Sequence, residues 1–353
     1  MDIDRQTSLR LSAAGFVCAL MVVLIHCQSM RMWLAGEVFD FGFFGGQAAS
    51  FDAGIRFFLS YTFVRLAVPF FFVLTGFFLA RSEKSWLTNV KKRFFTLYIP
   101  FVLWNLLNVI LNVLAGKSVI GGVLELSERV LGWNPMVRLG CMQFWYLQAV
   151  FVFLIAWPLV RIVLERWWSA ALLLSVLFMG WIDLYRYDFG HAMQASNFLW
   201  MSCGAVVAVI CRKEPLVFRK IASHSLFRIA VMICFVVSVA IKIYAGVVRE
   251  TVVFDIADKV LIASGLAALV MNLHVFDPMV KRFQTVLGLS FFIYAFHTIA
   301  ITIAIRIGTR LGVHGLVLYL FKGGFGITVS IAIGLIVRRY FPHVFHIMTG
   351  GRK

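Results

Sequence analysis

Two histidines and one arginine lie inside stretches of the chain that are otherwise apolar. His26 ends the first apolar run, Arg65 lies near the start of the second, and His297 lies within a late one. Ionisable groups in such runs are costly and are by default functional candidates. A histidine can move a proton near neutral pH, and an arginine can stabilise charge on an attacked carbonyl oxygen. The three predict acid–base chemistry, although an interfacial histidine, a snorkelling arginine and a helix–helix hydrogen bond are alternative interpretations.

Two stripes of polar residues repeat at helical spacing. In each stripe, consecutive members are three or four residues apart and the first and last are seven apart, so each stripe occupies one face of a helix. Such a face either lines a cavity or joins neighbouring helices by hydrogen bonds. The stripes are Ser290, Tyr294 and His297 in one run, and Asn105, Asn108 and Asn112 in another.

Membrane-spanning helices must position these side chains. Hydrophobic residues make up 61% of the chain and charged residues 14%, against roughly 25% charged residues in soluble domains. The apolar runs are continuous over about 20 residues, as helical spans require, whereas barrel strands would alternate over about ten. We predict an all-α, polytopic integral membrane bundle of about ten transmembrane helices. They lie near 9–29, 61–80, 94–115, 144–160, 167–183, 194–211, 227–247, 256–273, 285–307 and 314–337.

No gap between these runs is long enough for a soluble domain, so residues 1–353 are predicted to form a single membrane domain. The two longest gaps are 30–60 and 116–143. The first contains the aromatic and glycine-rich segment 39–46, which indicates an interfacial or re-entrant piece.

The net charge of +17 would suggest a nucleic-acid partner in a soluble protein. Here the basic residues concentrate in alternate gaps, which by the positive-inside rule places both termini in the cytoplasm. The charge is therefore an orientation signal, and no nucleic-acid partner is expected. His26 then lies roughly 24 Å beyond Arg10 along the first helix, toward the outer face. Arg65 is predicted at a similar depth, so the two side chains could share a site.

The six cysteines form no CxxC pair and no metal-like spacing with histidine. Most lie inside apolar runs, where cysteine acts as a small packing residue. We predict neither a disulfide nor a metal site.

Five segments, in order through nearly the whole chain, resemble the acyltransferase-3 family of integral membrane O-acyltransferases. Each motif is weak alone, but their order and spacing are similar to the family pattern. The segments are Ala19–His26, Arg65–Leu79, Lys91–Trp104, Phe144–Leu147 and Leu289–His297. The second is most similar to the branch that acylates cell-surface polysaccharides, including the enterobacterial common antigen acetyltransferase. One departure is Gly15, where the family often has an arginine.

The resemblance implies acyl transfer from acyl-CoA, usually acetyl-CoA, to a hydroxyl of a cell-surface or lipid-linked carbohydrate. It implies a multi-pass protein of the bacterial cytoplasmic (inner) membrane, with acyl-CoA as co-substrate and no permanently bound cofactor. In that chemistry His26 is the general base or a transient acyl carrier. Arg65 stabilises the oxyanion, or binds a phosphate of the acceptor or a group of the donor.

Further residues are predicted to hold the substrates. His297 and Tyr294 would line the cavity with Asn108, and Trp145 and Tyr146 would stack on a sugar. An aromatic belt at the membrane interface is an alternative interpretation of the last two. A basic cluster on the cytoplasmic side would bind the CoA phosphates, although a plain orientation signal explains it as well. That cluster is Arg81, Lys91, Lys92 and Arg93.

Two other functions compete with the enzyme. A transporter or flippase of lipid-linked glycans would also need many helices and buried polar groups. It predicts broken helices in paired positions, whereas Pro69 and Pro100 are not symmetrically placed and no internal repeat is visible. A non-catalytic partner in a glycan-assembly complex is the second alternative, and Gly15 at the usual arginine position is its main support.

Overall fold

The computed structural model describes residues 4–28, 51–116, 119–184, 190–214, 220, 223–248 and 250–351. Within these ranges all regular structure is helical and no strand occurs, so the all-α prediction is confirmed. The helices are α1 (Arg5–His26), α2 (Phe51–Tyr61), α3 (Ala67–Ala80), α4 (Trp86–Arg93), α5 (Ile99–Leu114), α6 (Val123–Leu131), α7 (Trp145–Leu164), α8 (Trp167–Trp181), α9 (Ala195–Lys213), α10 (Ser225–Val248), α11 (Thr251–Met271), α12 (Asp277–Leu287), α13 (Ser290–Arg310), α14 (Gly315–Tyr340) and α15 (Pro342–Thr349).

The chain is a multi-pass membrane protein. In the described part of the chain, eight helical stretches are long and apolar enough to cross a bilayer, and a pair bent by 66° brings the total to nine. The apolar helix α8 has 15 residues, about 22 Å, which is short of the roughly 30 Å hydrocarbon core. Each of the ten predicted runs overlaps a helix, while the count of ten and the orientation stay predictions. The stretches are Arg5–His26, Gly54–Ala80, Trp86–Leu114, Met142–Leu164, Ala195–Lys213, Ser225–Gly246, Ser290–Arg310 and Gly315–Tyr340, with the bent pair Val252–Met271 and Leu273–Leu287.

The second span is broken, which the sequence did not predict. Helix α2 ends at Tyr61, Thr62 leaves helical geometry, and a 3-10 turn over Phe63–Leu66 leads into α3. Pro69 lies in the first turn of α3, where its missing N–H is tolerated; a continuous helix would lose a hydrogen bond there. The prediction of a gap up to residue 60 was wrong for residues 51–60, which are helical. The segment 39–46 lies outside the described residues.

The gap 116–143 also contains a helix that the sequence analysis missed. Helix α6 is amphipathic, and an ion pair of 2.6 Å joins Glu125 to Arg129 one turn apart on it. It ends at Gly132, whose φ of +65° is the left-handed conformation that commonly terminates helices. The helix is only nine residues long, which is why a search for spans passes over it.

The chain divides into two compact units, residues 1–69 with 216–335, and residues 70–215 with 336–353. In the first, α1 packs against α13, α12 and the 3-10 turn, and α10 pairs closely with α11. In the second, α9 packs against α8 and α7, and α15 packs against α5. A Cβ at Gly76 of α3 would overlap the backbone of Met201 in α9. Small residues thus let these helix backbones approach, as is common in membranes.

Within the first unit, Asp52 connects α2 to the start of α14. Its carboxylate accepts hydrogen bonds from the Leu316 N–H and from the Arg56 guanidinium. Burial raises the pKa of Asp52, but these two donors outweigh it and hold the pKa below its usual range. The first N–H groups of a helix lack partners within it, so this carboxylate satisfies one of them.

Replacing Asp52 by alanine is expected to lower the stability of the protein in detergent by about 1 kcal/mol, because the first turn of α14 loses its acceptor. The folded pKa lies below the unfolded value of about 3.9, so the stabilisation is present above that pH and is lost as the pH falls through the folded pKa. Thermal unfolding of both proteins, followed at neutral and acidic pH, should show a difference that shrinks in acid. Glu165→Gln, at an exposed position, is the control, and an equal loss in that variant would contradict the assignment.

Candidate functional site

The two histidines predicted to act in chemistry lie side by side. Helices α1 and α13 pack against each other, and the ring centroids of His26 and His297 are 5.1 Å apart. His297 is fully buried, and its Nδ1 lies 3.1 Å from the carbonyl oxygen of Ile293. A carbonyl only accepts, so this contact assigns the proton to Nδ1 and leaves Nε2 as an acceptor. Among the described residues Nε2 has no hydrogen-bond partner.

Two neighbouring residues add polar groups to the same unit. Tyr294 is buried, and its ring centroid lies 6.4 Å from that of His297. Gln28 is also buried, and its Nε2 has no partner within the part of the chain that the structure describes. The sequence analysis missed Gln28, because a glutamine just past a helix end carries no hydropathy signal. The hydroxyl of Ser290, the first residue of α13, donates to the carbonyl of Leu287, the last residue of α12, at 2.7 Å, and so joins the two helix ends.

Arg65 does not stand alone. Its Nη2 lies 3.2 Å from a carboxylate oxygen of Asp258 on α11. The other oxygen of Asp258 accepts from Lys242 of α10, which also donates to the carbonyl of Tyr61. No hydrogen bond joins Arg65 to His26 among the described residues, although α1 packs against the 3-10 turn that carries Arg65. The sequence analysis missed Lys242 and Asp258, although charge inside an apolar run is the signal that identified Arg65.

The aromatic pair at the start of α7 lies in the second unit. The Tyr146 hydroxyl is 3.1 Å from the Thr75 hydroxyl and donates to the Phe71 carbonyl at 3.3 Å. Tyr146 therefore joins α7 to α3. Trp145 is half-buried, and its ring lies 6.2 Å from that of His191; stacking of Trp145 on a sugar stays a prediction.

The asparagine stripe fastens a loop to helix α5. Asn105 is fully buried and accepts from the Cys141 N–H at 2.7 Å. Asn108 donates to the Trp104 carbonyl at 3.2 Å and contacts the Cys141 sulfur at 2.8 Å. Asn112, further along, is only half-buried. These contacts favour the structural interpretation for Asn105 and Asn108, while substrate binding by Asn108 stays a prediction.

A basic cleft of about 310 Å³ lies in the second unit between the end of α3 and helix α4. Four cations and no carboxylate are among its lining residues, which makes it suitable for an anion such as a phosphate. Asn89 braces the turn, accepting from the Ser82 hydroxyl at 3.0 Å and donating to the Lys84 carbonyl at 3.2 Å. Three of the predicted cations line the cleft, Lys84 joins them, and Lys91 does not. The lining is Phe78, Leu79, Arg81, Ser82, Lys84, Asn89, Lys92 and Arg93.

The turn after Arg93 packs against helix α15. Residues Phe94–Tyr98 form a π-helical turn between α4 and α5, an irregularity that is frequent at functional sites. Helix α15 packs against this turn and against α5. The indole of Trp104 in α5 donates to the Met348 carbonyl of α15 at 2.9 Å. A Cβ at Gly350 would overlap the carbonyl of Thr96. The cleft is thus followed directly by a tightly packed segment.

Comparison with protein families shows which family the chain belongs to. A family model described as an acyltransferase domain, acyltransferase-3, matches residues 13–336. The chain belongs to the acyltransferase-3 family. The matched range contains both histidines, Arg65 and the basic cleft, and it ends before α15. No curated protein and no solved structure matches the chain.

Membership of the acyltransferase-3 family supports acyl transfer as the reaction class. No group of three His, Cys, Asp or Glu side chains that could hold a metal occurs among the described residues. Each unit contains one candidate group of residues: a histidine pair with an ion-paired arginine in the first unit, and a basic cleft in the second.

Asn105→Ala is expected to destabilise the protein by about 1–3 kcal/mol, because it leaves the buried Cys141 N–H without an acceptor. The measurement is the unfolding temperature in detergent. Asn112→Ala, the same change on the same helix at a half-buried position, should have little effect. Unchanged stability with loss of acyl transfer would show instead that the Asn105 amide acts on a substrate.

Proposed function

We propose that this acyltransferase is an O-acetyltransferase that moves an acetyl group from acetyl-CoA to a hydroxyl of a cell-surface or lipid-linked carbohydrate. The observation that carries the proposal is the contact between His26 and His297 in a membrane protein of the acyltransferase-3 family. His26 is half-buried beside the fully buried His297, and an imidazole is the kind of group that can take a proton from a hydroxyl.

In the proposed reaction the acceptor hydroxyl donates to His26 and its oxygen attacks the thioester carbonyl carbon. The proton passes to His26, the carbon–sulfur bond breaks, and the CoA thiolate takes the proton as it leaves. Such base catalysis contributes roughly 10²–10⁴-fold to a rate. His297 accepts, through an Nε2 that has no partner among the described residues, from a second hydroxyl of the acceptor and so orients it. An alternative order, in which His26 first carries the acetyl group, uses the same residues.

Arg65 is proposed to stabilise the oxyanion that forms when the carbonyl is attacked. A guanidinium has five N–H donors, and the contact with Asp258 engages its Nη2. Donors placed before the reaction begins are the most effective at stabilising such charge. Tyr294 and Gln28 would complete the polar wall around the reacting carbonyl.

The basic cleft is proposed to bind the phosphates of CoA. Charge-assisted hydrogen bonds from Arg81, Lys84, Lys92 and Arg93 suit phosphate oxygens. The predicted orientation places this cleft on the cytoplasmic side, where CoA is made, and His26 toward the outer face. The predicted orientation also supports a location in the bacterial inner membrane. For a carbohydrate acceptor, Trp145 would stack on a sugar, and Tyr146 would hold the start of α7 in place through its contacts with α3. The resemblance of segment Arg65–Leu79 to the branch that acylates surface polysaccharides supports a carbohydrate as the acceptor.

His26→Ala should abolish acetyl transfer, because the attacking hydroxyl loses its base. The measurement is mass spectrometry of surface glycans from cells that carry the variant as their sole copy, looking for loss of the acetyl mass. His343→Ala, at an exposed position in α15, should retain transfer. Full acetylation with His26→Ala at normal membrane levels would contradict the proposal. Loss of whole glycans from the surface, rather than of acetyl groups, would favour the flippase.

Lys92→Gln should raise the KM for acetyl-CoA several-fold with little change in kcat, since it removes one phosphate contact from the cleft. Lys91→Gln is the matched control, because Lys91 is the adjacent residue and its side chain does not line the cleft. Both variants are assayed in detergent with purified protein and labelled acetyl-CoA. Equal effects of the two changes would mean that the basic run acts only through its overall charge.

A further inference from the structure

Three charged side chains from three separate segments meet in the first unit. Asp258 of α11 accepts from Arg65 of the 3-10 turn through one oxygen, at 3.2 Å, and from Lys242 of α10 through the other. Lys242 lies in addition 4.9 Å from the centroid of the Phe254 ring. One carboxylate therefore serves two cations that come from different parts of the chain.

Two of the three side chains are largely buried, while that of Arg65 is 36% exposed. The side chain of Lys242 is 1% exposed and that of Asp258 is 13% exposed. Charges in such surroundings are stable only when they are paired and hydrogen-bonded, and loss of one partner leaves the other uncompensated. Arg65 and Lys242 both depend on Asp258 for that compensation.

The cluster also spans the break in the second membrane span. Tyr61 is the last residue of α2, Thr62 is the break, and Arg65 lies in the turn that follows. The last carbonyls of a helix lack partners within it, and Lys242 donates to that of Tyr61. Through Lys242 and Arg65, the Asp258 carboxylate holds both sides of the break.

Helix α11 supports the turn at a second point. Gly265 lies two turns beyond Asp258 on α11, and a Cβ built there would come within 2.6 Å of the Leu66 side chain. Leu66 follows Arg65 directly and is buried. The 3-10 turn is therefore seated against α11 by packing and by charge, and α10 is itself packed along α11.

We infer that Asp258 and Lys242 are positioning residues, which set the location of the Arg65 guanidinium for the acyl-transfer step. The inference rests on the proposed role of Arg65 at the oxyanion. Asp258 fixes the guanidinium directly, and Lys242 fixes Asp258 and the end of α2. A displacement of a catalytic group by about 1 Å costs on the order of 10²-fold in rate. Neither residue needs to touch a substrate to have this effect.

The central test is a pair of variants in purified, detergent-solubilised protein. Asp258→Asn should lower kcat on the order of 10²-fold, while the KM for acetyl-CoA stays the same because the basic cleft is built from other residues. Asp258→Glu, which keeps the charge, should recover part of the rate. In an Arg65→Ala background, Asp258→Asn should lower kcat no further, because the group it positions is gone. A further loss in that background would overturn the inference.

A control and a second variant separate position from folding. Asp277 forms two hydrogen bonds of 2.7 Å with Arg10, at another ion pair of the same unit, and Asp277→Asn should keep kcat. If Asp258→Asn is unstable, the double variant Lys242→Met with Asp258→Asn removes a buried cation together with its partner. It should regain unfolding temperature but not activity. Wild-type kcat in the double variant, or in stable Asp258→Asn, would overturn the inference.

The outcome for Arg65 distinguishes this inference from the proposed function. Loss of transfer in Arg65→Ala together with normal transfer in Asp258→Asn would overturn the positioning role alone. Normal transfer in Arg65→Ala, with loss in His26→Ala, would remove the proposed role of Arg65 and the inference with it, but leave the histidine pair as the site. Normal transfer in His26→Ala would instead remove the proposed function.

Discussion

The desolvation of polar groups within apolar helices is the constraint on which the other features of this acyltransferase depend. A charge or amide taken from water into such surroundings must find a partner, and each partner fixes the helix that carries it. Asp258 compensates Arg65 and Lys242, the Ile293 carbonyl compensates His297 Nδ1, and Asn105 holds the Cys141 N–H. The groups that satisfy this requirement define the interior of each unit. Among the described residues, His297 Nε2 is one of the buried polar atoms without a hydrogen-bond partner, and the proposed reaction gives it one.

The same constraint gives the two parts of the proposed chemistry different physical characters. His297 is fully buried and His26 is half-buried, so their hydrogen bonds act in a medium less polar than water, where oriented donors and acceptors have larger effects. The basic cleft contains flexible lysine side chains beside Arg81 and Arg93, which suits the recognition of several phosphates by charge more than by shape. An acyl donor with an anionic handle and an uncharged reacting end matches both characters.

Much of the fold could be predicted from the sequence because hydropathy is local. Each apolar run is longer than a turn of helix, so its type can be read without knowledge of its neighbours. The break at Thr62 could not, because it is stabilised by Lys242 and Asp258, and the latter is 193 residues from Arg65. Helix α6 escaped because it is short and amphipathic. In the candidate site, His26 and His297 could be identified as ionisable residues within apolar runs. Gln28 and the partners of Arg65 could be identified only from the packing of helices that are distant in the sequence.

The first unit is built from two segments that are far apart in the sequence, since residues 1–69 pack with residues 216–335. Arg65 lies in the second span, and α11, which carries its ion-pair partner Asp258, is translated much later. During synthesis at the membrane, Arg65 must therefore wait in the bilayer or at its surface until α11 has been inserted. Exchange of parts between relatives is limited in the same way. A chimera that takes residues 1–69 from one parent and 216–335 from another would join an arginine to a carboxylate that was never selected to receive it.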